Sequence, residues 1–513
     1  MGNSESNKRI VRNTFFLYIR QFVSLLLGLF TSRAVLDALG VEDYGLYNLV
    51  GGFVVLLNVF SASLTGSATR FITYGIGEND PLKLKAIFST VSTLMAIIAF
   101  VIFVIGLAIG WFFIGNFLNI PAERIDTAFI VYMFSLAVFS LNIMAIPFVS
   151  IVTAHEKMDF YASICIYEAI GKLVIAYSLY QISKERNIYY DAMLAMLALS
   201  VRIFYGIYSS RHFDEVSFKL KLDKGILKNI FSFSFWLTFG CASGILKDYA
   251  GNVVLNLFYG LAYNASNGVA SMIKGLIGTF TNNIGAAISP QITKSYAQQN
   301  NERAISLTFE MAKFQACCAL IVIIPFFINA PFLLGLWLKE IPAGAVLFSR
   351  IMAVVCFVIG IAQSYAPLYL AIGKIKKLQR VISVVNILYI PSCFVCYKFG
   401  RAPESYLYMS LLFELVQFVI CYTHLNSLIN ISLRKIFLSI FAKAFLVGVL
   451  TIFFTLYVCD MLLNSDVLFF FTSIILCESI TVSLIYMFLL NKSERAYIIS
   501  IVLNKITSTT KCL

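Results

Sequence analysis

Charge is scarce in this chain. Asp, Glu, Lys and Arg make up 13% of its 513 residues, against 60% hydrophobic, and the mean hydropathy is +0.85. A soluble domain keeps much of its surface wet and cannot bury so much apolar area, so a soluble fold is excluded. Histidine is scarcer still. His155, His212 and His424 lie far apart, and there is no H-E-x-x-H and no clustered ligand set, so no metal site and no metal or organic cofactor is expected. A Walker A loop is missing, which excludes ATP hydrolysis by that route. The 11 cysteines are spread through apolar segments, unlike a secreted disulfide framework. Cys393 and Cys396 form a C-x-x-C inside an apolar run and read as buried structural thiols rather than a redox pair. His155, in "AHEKMD", reads as a solvated loop residue. "MGNSES" matches a myristoylation pattern by chance, and no cleavable signal peptide is expected.

Long apolar runs are abundant. Val91 to Gly115 alone exceeds the ~20 residues needed to cross a bilayer. The runs are continuous rather than alternating, so helices are expected and a barrel is not. About fourteen spans are read, at 14–39, 44–72, 84–116, 124–150, 160–182, 188–210, 228–258, 262–290, 303–330, 344–371, 376–398, 404–426, 434–459 and 465–490. Connections are short, and the longest interior one is basic, carrying Arg211, Lys219, Lys221 and Lys224. With the N-terminus inside, roughly 23 Lys/Arg fall on inner segments and 6 on outer ones, which places both termini in the cytoplasm. The net charge of +13 is then mostly topological, and no nucleic-acid partner is expected.

The chain repeats itself at an offset of roughly 220 residues. "NIPAE" at Asn119 recurs as "EIPAG" at Glu340. Pro147 recurs as Pro367, and Phe71 to Asp80 resembles Gln291 to Asn300. An even number of spans per repeat makes the halves parallel. The expected organisation is an N-lobe over 1–210, a basic cytoplasmic linker over 211–227, a C-lobe over 228–426, two extra spans over 427–490, and a cytoplasmic tail over 491–513. Two parallel six-span lobes suggest a transporter with a central cavity.

Polar residues inside spans sharpen that expectation. Asn58, Ser61 and Thr65 share one helical face of the second span. Asn267, Ser271, Lys274 and Thr281 form a similar stripe on the eighth. Intramembrane charges are costly and tend to be functional. The cations Arg20, Arg70, Lys172, Lys247 and Lys274 point to a cationic cavity for an anionic group such as phosphate or pyrophosphate. Glu168 and Lys172 stand i, i+4 and can pair with each other; Arg70 can snorkel. Asp248 and Glu168 are the candidates for coupling to H+ or Na+. Arg33 and Asp37, near the outer end of the first span, point away from Arg20, Ser24 and Thr31 and read as a gate, with Arg33 expected to pair with a C-lobe acid rather than with Asp37.

The first hairpin, "RAVLDALGVEDYGLYNLVGGF", carries Leu39-Gly40 followed by Tyr44-Gly45. This L-G-x-x-x-[YF]-G turn resembles the opening of the polysaccharide (O-antigen or capsule) flippases of the multidrug/oligosaccharidyl-lipid/polysaccharide (MOP) exporter superfamily. The resemblance implies an all-α, MATE-like fold of two six-helix lobes around a cavity plus two C-terminal helices. It also implies translocation of an undecaprenyl-pyrophosphate-linked oligosaccharide from the cytoplasmic to the periplasmic leaflet of a bacterial inner membrane, by alternating access. The partners it implies are that lipid-linked oligosaccharide, membrane lipids, and the polymerase and chain-length proteins of the same pathway.

Three alternatives stand beside this reading. A drug/cation antiporter of the same superfamily predicts acids dominating the N-lobe cavity, and a lipid II flippase needs a cationic cavity as well. A membrane-embedded polymerase or glycosyltransferase needs a large outer loop or an acidic metal motif, and neither is present in the sequence.

Overall fold

The computed structural model describes residues 3–55, 57–116, 124–182, 185–216, 222–338, 340–429, 432–462, 466–492 and 494–495. Its regular structure among them is helical throughout: α1 (Asn3–Val55), α2 (Asn58–Glu78), α3 (Pro81–Asn116), α4 (Ile125–Ala154), α5 (Met158–Ser178), α6 (Arg186–His212), α7 (Lys224–Ala297), α8 (Asn301–Trp337), α9 (Ala345–Ala362), α10 (Ala366–Ile372), α11 (Ile375–Lys398), α12 (Ser405–Ile429), α13 (Leu433–Ile436), α14 (Ala442–Leu462) and α15 (Asp466–Leu484). Among the described residues, twelve helical stretches are long and apolar enough to cross a membrane. The chain is a multi-pass membrane protein.

Two glycines divide the longest helices. α1 turns at Gly40 (φ 81°, ψ 169°) and α7 at Gly260 (φ 75°, ψ −169°). Only glycine adopts such angles without strain, so each breaks its helix into two arms. The expected first and second spans are therefore the two arms of α1, with α2 continuing the second. The seventh and eighth are the two arms of α7. The arms after Gly40 and after Gly260 are missing from the twelve apolar stretches. They are the two that carry the polar stripes.

The repeat is visible in the backbone. Gly40 and Gly260 stand one repeat offset apart. So do Asn79 (φ 55°) and Gln299 (φ 61°), which lie at the ends of α2 and α7 in the left-handed region. Pro147 within α4 and Pro367 within α10 follow the same offset. The "NIPAE" copy at Asn119 lies outside the described residues.

The chain packs into two compact units that cut across the sequence halves. Unit 1 contains residues 1–242, 286–304 and 367–380; unit 2 contains 243–285, 305–366 and 381–513. Unit 1 has an apolar core of Ile72, Phe88, Met95, Tyr132, Leu136 and Ile151, all nearly inaccessible. Large side chains such as Phe100, Trp111, Val174 and Phe453 are exposed instead, as expected of faces turned toward lipid.

Candidate functional site

Unit 2 holds a cavity of about 450 Å³ beside the two arms of α7. It is built as a hairpin. Asn252 and Asn267 stand eight and seven residues from Gly260, and Asn267 Nδ2 donates to Asn252 Oδ1 at 3.0 Å. Asp248 and Lys274 stand twelve and fourteen residues from the same glycine. Lys274 Nζ meets Asp248 Oδ2 at 2.9 Å. With a helical rise of roughly 1.5 Å per residue, both rungs join points of matching depth on antiparallel arms. Tyr406 of α12 donates its hydroxyl to Asn267 Oδ1, and Gln315 of α8 donates to the Thr281 carbonyl at 3.3 Å. Ser271, Thr279, Gln363 and Ser410 add further hydroxyls and an amide to the wall.

Lys247 follows a different direction from its neighbour, because adjacent helical residues diverge by about 100°. Its ammonium is 2.6 Å from Glu414 of α12 and lies over the Tyr389 ring at 5.2 Å. Lys247 is 4% exposed. Gln417, Asn386 and Ser243 continue a buried polar chain, at 2.9 and 3.0 Å.

Both lysines expected to line a cationic cavity have carboxylate partners in this unit. Lys247 and Lys274 are both neutralised, by Glu414 and Asp248. Asp248, the expected coupling site, is the ion-pair partner of Lys274. For Lys247 the physical reason is general, since a charge is buried only with a partner; the Lys274 and Asp248 side chains are 36% and 57% exposed and pair within the cavity wall. Glu414 is 167 residues from Lys247, a separation that no local spacing rule reaches.

Unit 1 has its own pocket of about 440 Å³, lined by Ser24, Gly28 and Thr31 of α1, Glu168 and Lys172 of α5, and Tyr190 of α6. Lys172 Nζ lies 2.6 Å from Glu168, the expected i, i+4 pair. Arg20, one turn before Ser24 on α1, donates to Tyr161 Oη at 3.4 Å and approaches Cys165 Sγ at 3.9 Å. Arg33 and Asp37 are 3.9 Å apart with side chains 84% and 57% exposed. Arg33 therefore pairs weakly with Asp37, and the C-lobe acid expected for it is replaced by its own neighbour. Of the second-span stripe, Thr65 donates to the Ser61 carbonyl at 2.8 Å, while the side chain of Asn58 lies outside the described ones.

Arg70 lines neither of these two cavities. Its Nε and Nη2 donate to the carbonyls of Leu370 and Ala371, each at 3.1 Å, and its guanidinium lies against Phe71, Tyr74 and Phe233.

Two residues of one turn carry more than their sequence suggests. His155 is not a solvated loop residue: it stacks on Phe213 at 4.3 Å and its Nε2 lies 2.5 Å from Glu215. Burial pushes the Glu215 carboxyl up, but the hydrogen bond and charge of His155 outweigh it and hold it below the ordinary value. Glu156 is 6% exposed, with Lys294 Nζ at 2.8 Å and Gln291 Nε2 at 3.1 Å. A buried acid in a short polar turn has no sequence signal beyond its neighbour His155.

The ten cysteines among the described residues are not disulfide-bonded, and Cys393 is buried. Within the described residues no group of three His, Cys, Asp or Glu is placed to hold a metal.

Residues 10–295 match the family model described as polysaccharide biosynthesis protein, more than half of the chain. The chain belongs to that family. It is 24% identical over 282 residues to an uncharacterized membrane protein of Methanocaldococcus jannaschii, covering 52% of this chain and 54% of that one. The chain thus spans about half the length of the curated relative it matches. Among solved structures, an outward-facing multidrug resistance MATE family transporter of the MOP superfamily superposes with a TM-score of 0.73 at 15% identity, covering 83% of this chain and 96% of that one. A MOP superfamily transporter from Pyrococcus furiosus gives 0.71 at 14% identity, with 82% and 96% covered. The fold is that of the MOP transporters, as the L-G-x-x-x-[YF]-G hairpin led one to expect.

Proposed function

We propose that this protein is a flippase that moves an undecaprenyl-pyrophosphate-linked oligosaccharide across a bacterial inner membrane, from the cytoplasmic to the periplasmic leaflet, by alternating access. The observation that carries the reading is the unit 2 cavity, within a chain of the polysaccharide biosynthesis family. Its wall offers amides and hydroxyls from Asn267, Ser271, Thr281, Gln315, Gln363 and Ser410 around one Lys274–Asp248 pair. Such donors and acceptors suit sugar hydroxyls, as buried polar groups recognise a hydroxyl far better than its absence. A multidrug antiporter would need an acid free to meet a cation, whereas Asp248 is committed to Lys274. Coupling to H+ or Na+ would run through the Glu168–Lys172 or Asp248–Lys274 pair. The product would be handed to a polymerase acting on lipid-linked glycans.

Reconstitution of the full chain with a fluorescent lipid-linked oligosaccharide tests this. Transfer into the opposite leaflet is expected, and Lys274→Gln lowers its rate about tenfold. If the wild type moves no lipid-linked glycan but moves cationic dyes, the antiporter reading replaces this one.

A further inference from the structure

Unit 1 contains three segments from the second repeat. They are residues 224–242 at the start of α7, 286–304 spanning its end, and 367–380 around α10. Their contacts with the first repeat follow a pseudo-twofold pattern. Gly77 of α2 and Ala297 of α7 stand one repeat offset apart, hence are repeat equivalents, and they touch each other. A Cβ on Gly77 would lie 2.5 Å from that of Ala297. Equivalent residues meet where a symmetry axis passes.

Two cations flank this crossing. Lys294, one turn before Ala297, holds Glu156 at the C-terminus of α4. Arg70, two turns before Gly77, holds the last carbonyls of α10. Helix ends 154 and 372 stand 218 residues apart and Arg70 and Lys294 stand 224 apart, so the two contacts are similar in placement without being strict repeat equivalents. Arg70 sits on the carbonyl end of α10, where helix dipoles favour positive charge, whereas Lys294 meets the Glu156 carboxylate just past the end of α4.

The two contacts differ in their acceptors. Arg70 is met by backbone carbonyls and ring faces, with no carboxylate among the described residues within ion-pair distance. Lys294 and Gln291 together cradle both oxygens of the Glu156 carboxylate. Glu156 reaches them from a left-handed backbone position, φ 61°, which side-chain-bearing residues seldom adopt. A lysine and an amide donating to two oxygens of one buried anion is the arrangement a phosphate group would also satisfy.

We propose that Arg70 and Lys294 form a switched anion site. In this structure Glu156 occupies the Lys294 half as an internal anion and the end of α10 occupies the Arg70 half. When these contacts part, both cations are presented to the phosphate groups of the incoming lipid. Glu156 then acts as the stand-in that closes the site when no substrate is there. The inference rests on the flippase reading for its ligand, a prenyl pyrophosphate.

The test is binding of a short-chain prenyl pyrophosphate to the detergent-solubilised full chain. Glu156→Gln frees Lys294 from its counter-charge and tightens binding about tenfold, because less of the protein is held in the closed state. Lys294→Gln weakens it about tenfold. The exchange Glu156→Lys with Lys294→Glu restores an ion pair, so its thermal unfolding matches the wild type. Its binding nevertheless stays as weak as that of Lys294→Gln, since the cation has moved. Arg70→Lys retains most binding and Arg70→Met loses it. An exchange variant that binds like the wild type makes the pair purely structural and overturns the inference. So does Glu156→Gln with unchanged affinity. A wild type that flips lipid-linked oligosaccharide while all these variants bind alike overturns the inference alone. A wild type that neither binds the probe nor flips the lipid overturns the flippase reading with it.

Discussion

The two units solve the same electrostatic problem differently. Unit 1's pocket carries Glu168 and Lys172 on a single helix, one turn apart, with side chains 42% and 47% exposed. Unit 2 joins Lys247 to Glu414 from separate helices, with side chains 5% and 17% exposed. The first pair is an ornament of one helix, worth a few tenths of a kcal/mol wherever that helix goes. The second fastens the first arm of α7 to α12 and exists only when both are in place. Position in the membrane alone does not tell a functional cation from a structural one. The partner's distance along the chain and the degree of burial do.

The sharpest way to break the comparison is to remove one partner of the buried pair. Glu414→Gln leaves the Lys247 charge uncompensated and costs about 3–5 kcal/mol, read as a lower unfolding temperature in detergent and lower yield. Replacing both partners, as Lys247→Met with Glu414→Leu, recovers most of that loss. Lys172→Gln in unit 1 shifts stability by less than about 0.5 kcal/mol. Equal effects of Glu414→Gln and Lys172→Gln would dissolve the distinction.

Next in size is Gly77→Leu, which drives a side chain into Ala297 and the Lys294 backbone, where even a Cβ meets atoms at 2.5 and 3.0 Å. It costs about 1–3 kcal/mol if the helices must shift, and it exposes the Lys294 end of α7 to amine labelling. Tyr406→Phe is of similar size. It leaves Asn267 Oδ1 short of a donor in a buried setting, about 1–3 kcal/mol, with slower glycan transfer as the second readout. A smaller effect is tied to pH. The Glu215 carboxyl is held low by His155, so the stability it contributes is present above its unfolded value and fades as pH falls through the folded one. Glu215→Gln flattens that acid limb of the unfolding profile.

Much of the fold could be read from local pattern. Apolar runs, Gly40, the Pro147–Pro367 correspondence and the repeat offset are all properties of short stretches, and the backbone turns at Gly40 and Gly260 follow them. The Glu168–Lys172 pair was legible for the same reason. Lys247–Glu414 and Lys294–Glu156 were not, because their partners are 167 and 138 residues away. Nothing in a helix's own spacing encodes which distant helix lies beside it. Arg70 shows the limit in another form. Its acceptors are main-chain carbonyls at the end of α10, and a carbonyl has no letter in the sequence.

The smallest expected effect belongs to Arg33. Its charge, beside Ser32 in an apolar run, makes it the most conspicuous feature of the first span. In the structure its side chain is 84% exposed and 3.9 Å from an Asp37 that is itself more than half exposed. Arg before Asp is also the weaker order along the helix dipole. An ion pair of this kind gains little over hydration. Arg33→Gln should therefore change unfolding free energy by no more than about 0.5 kcal/mol and leave the binding of a prenyl pyrophosphate unaltered. The useful readout is transport. If Arg33 gates the outer end of the first span, glycan transfer slows while binding does not. Transfer at the wild-type rate would remove the gate and leave Arg33 as a charge at the membrane surface.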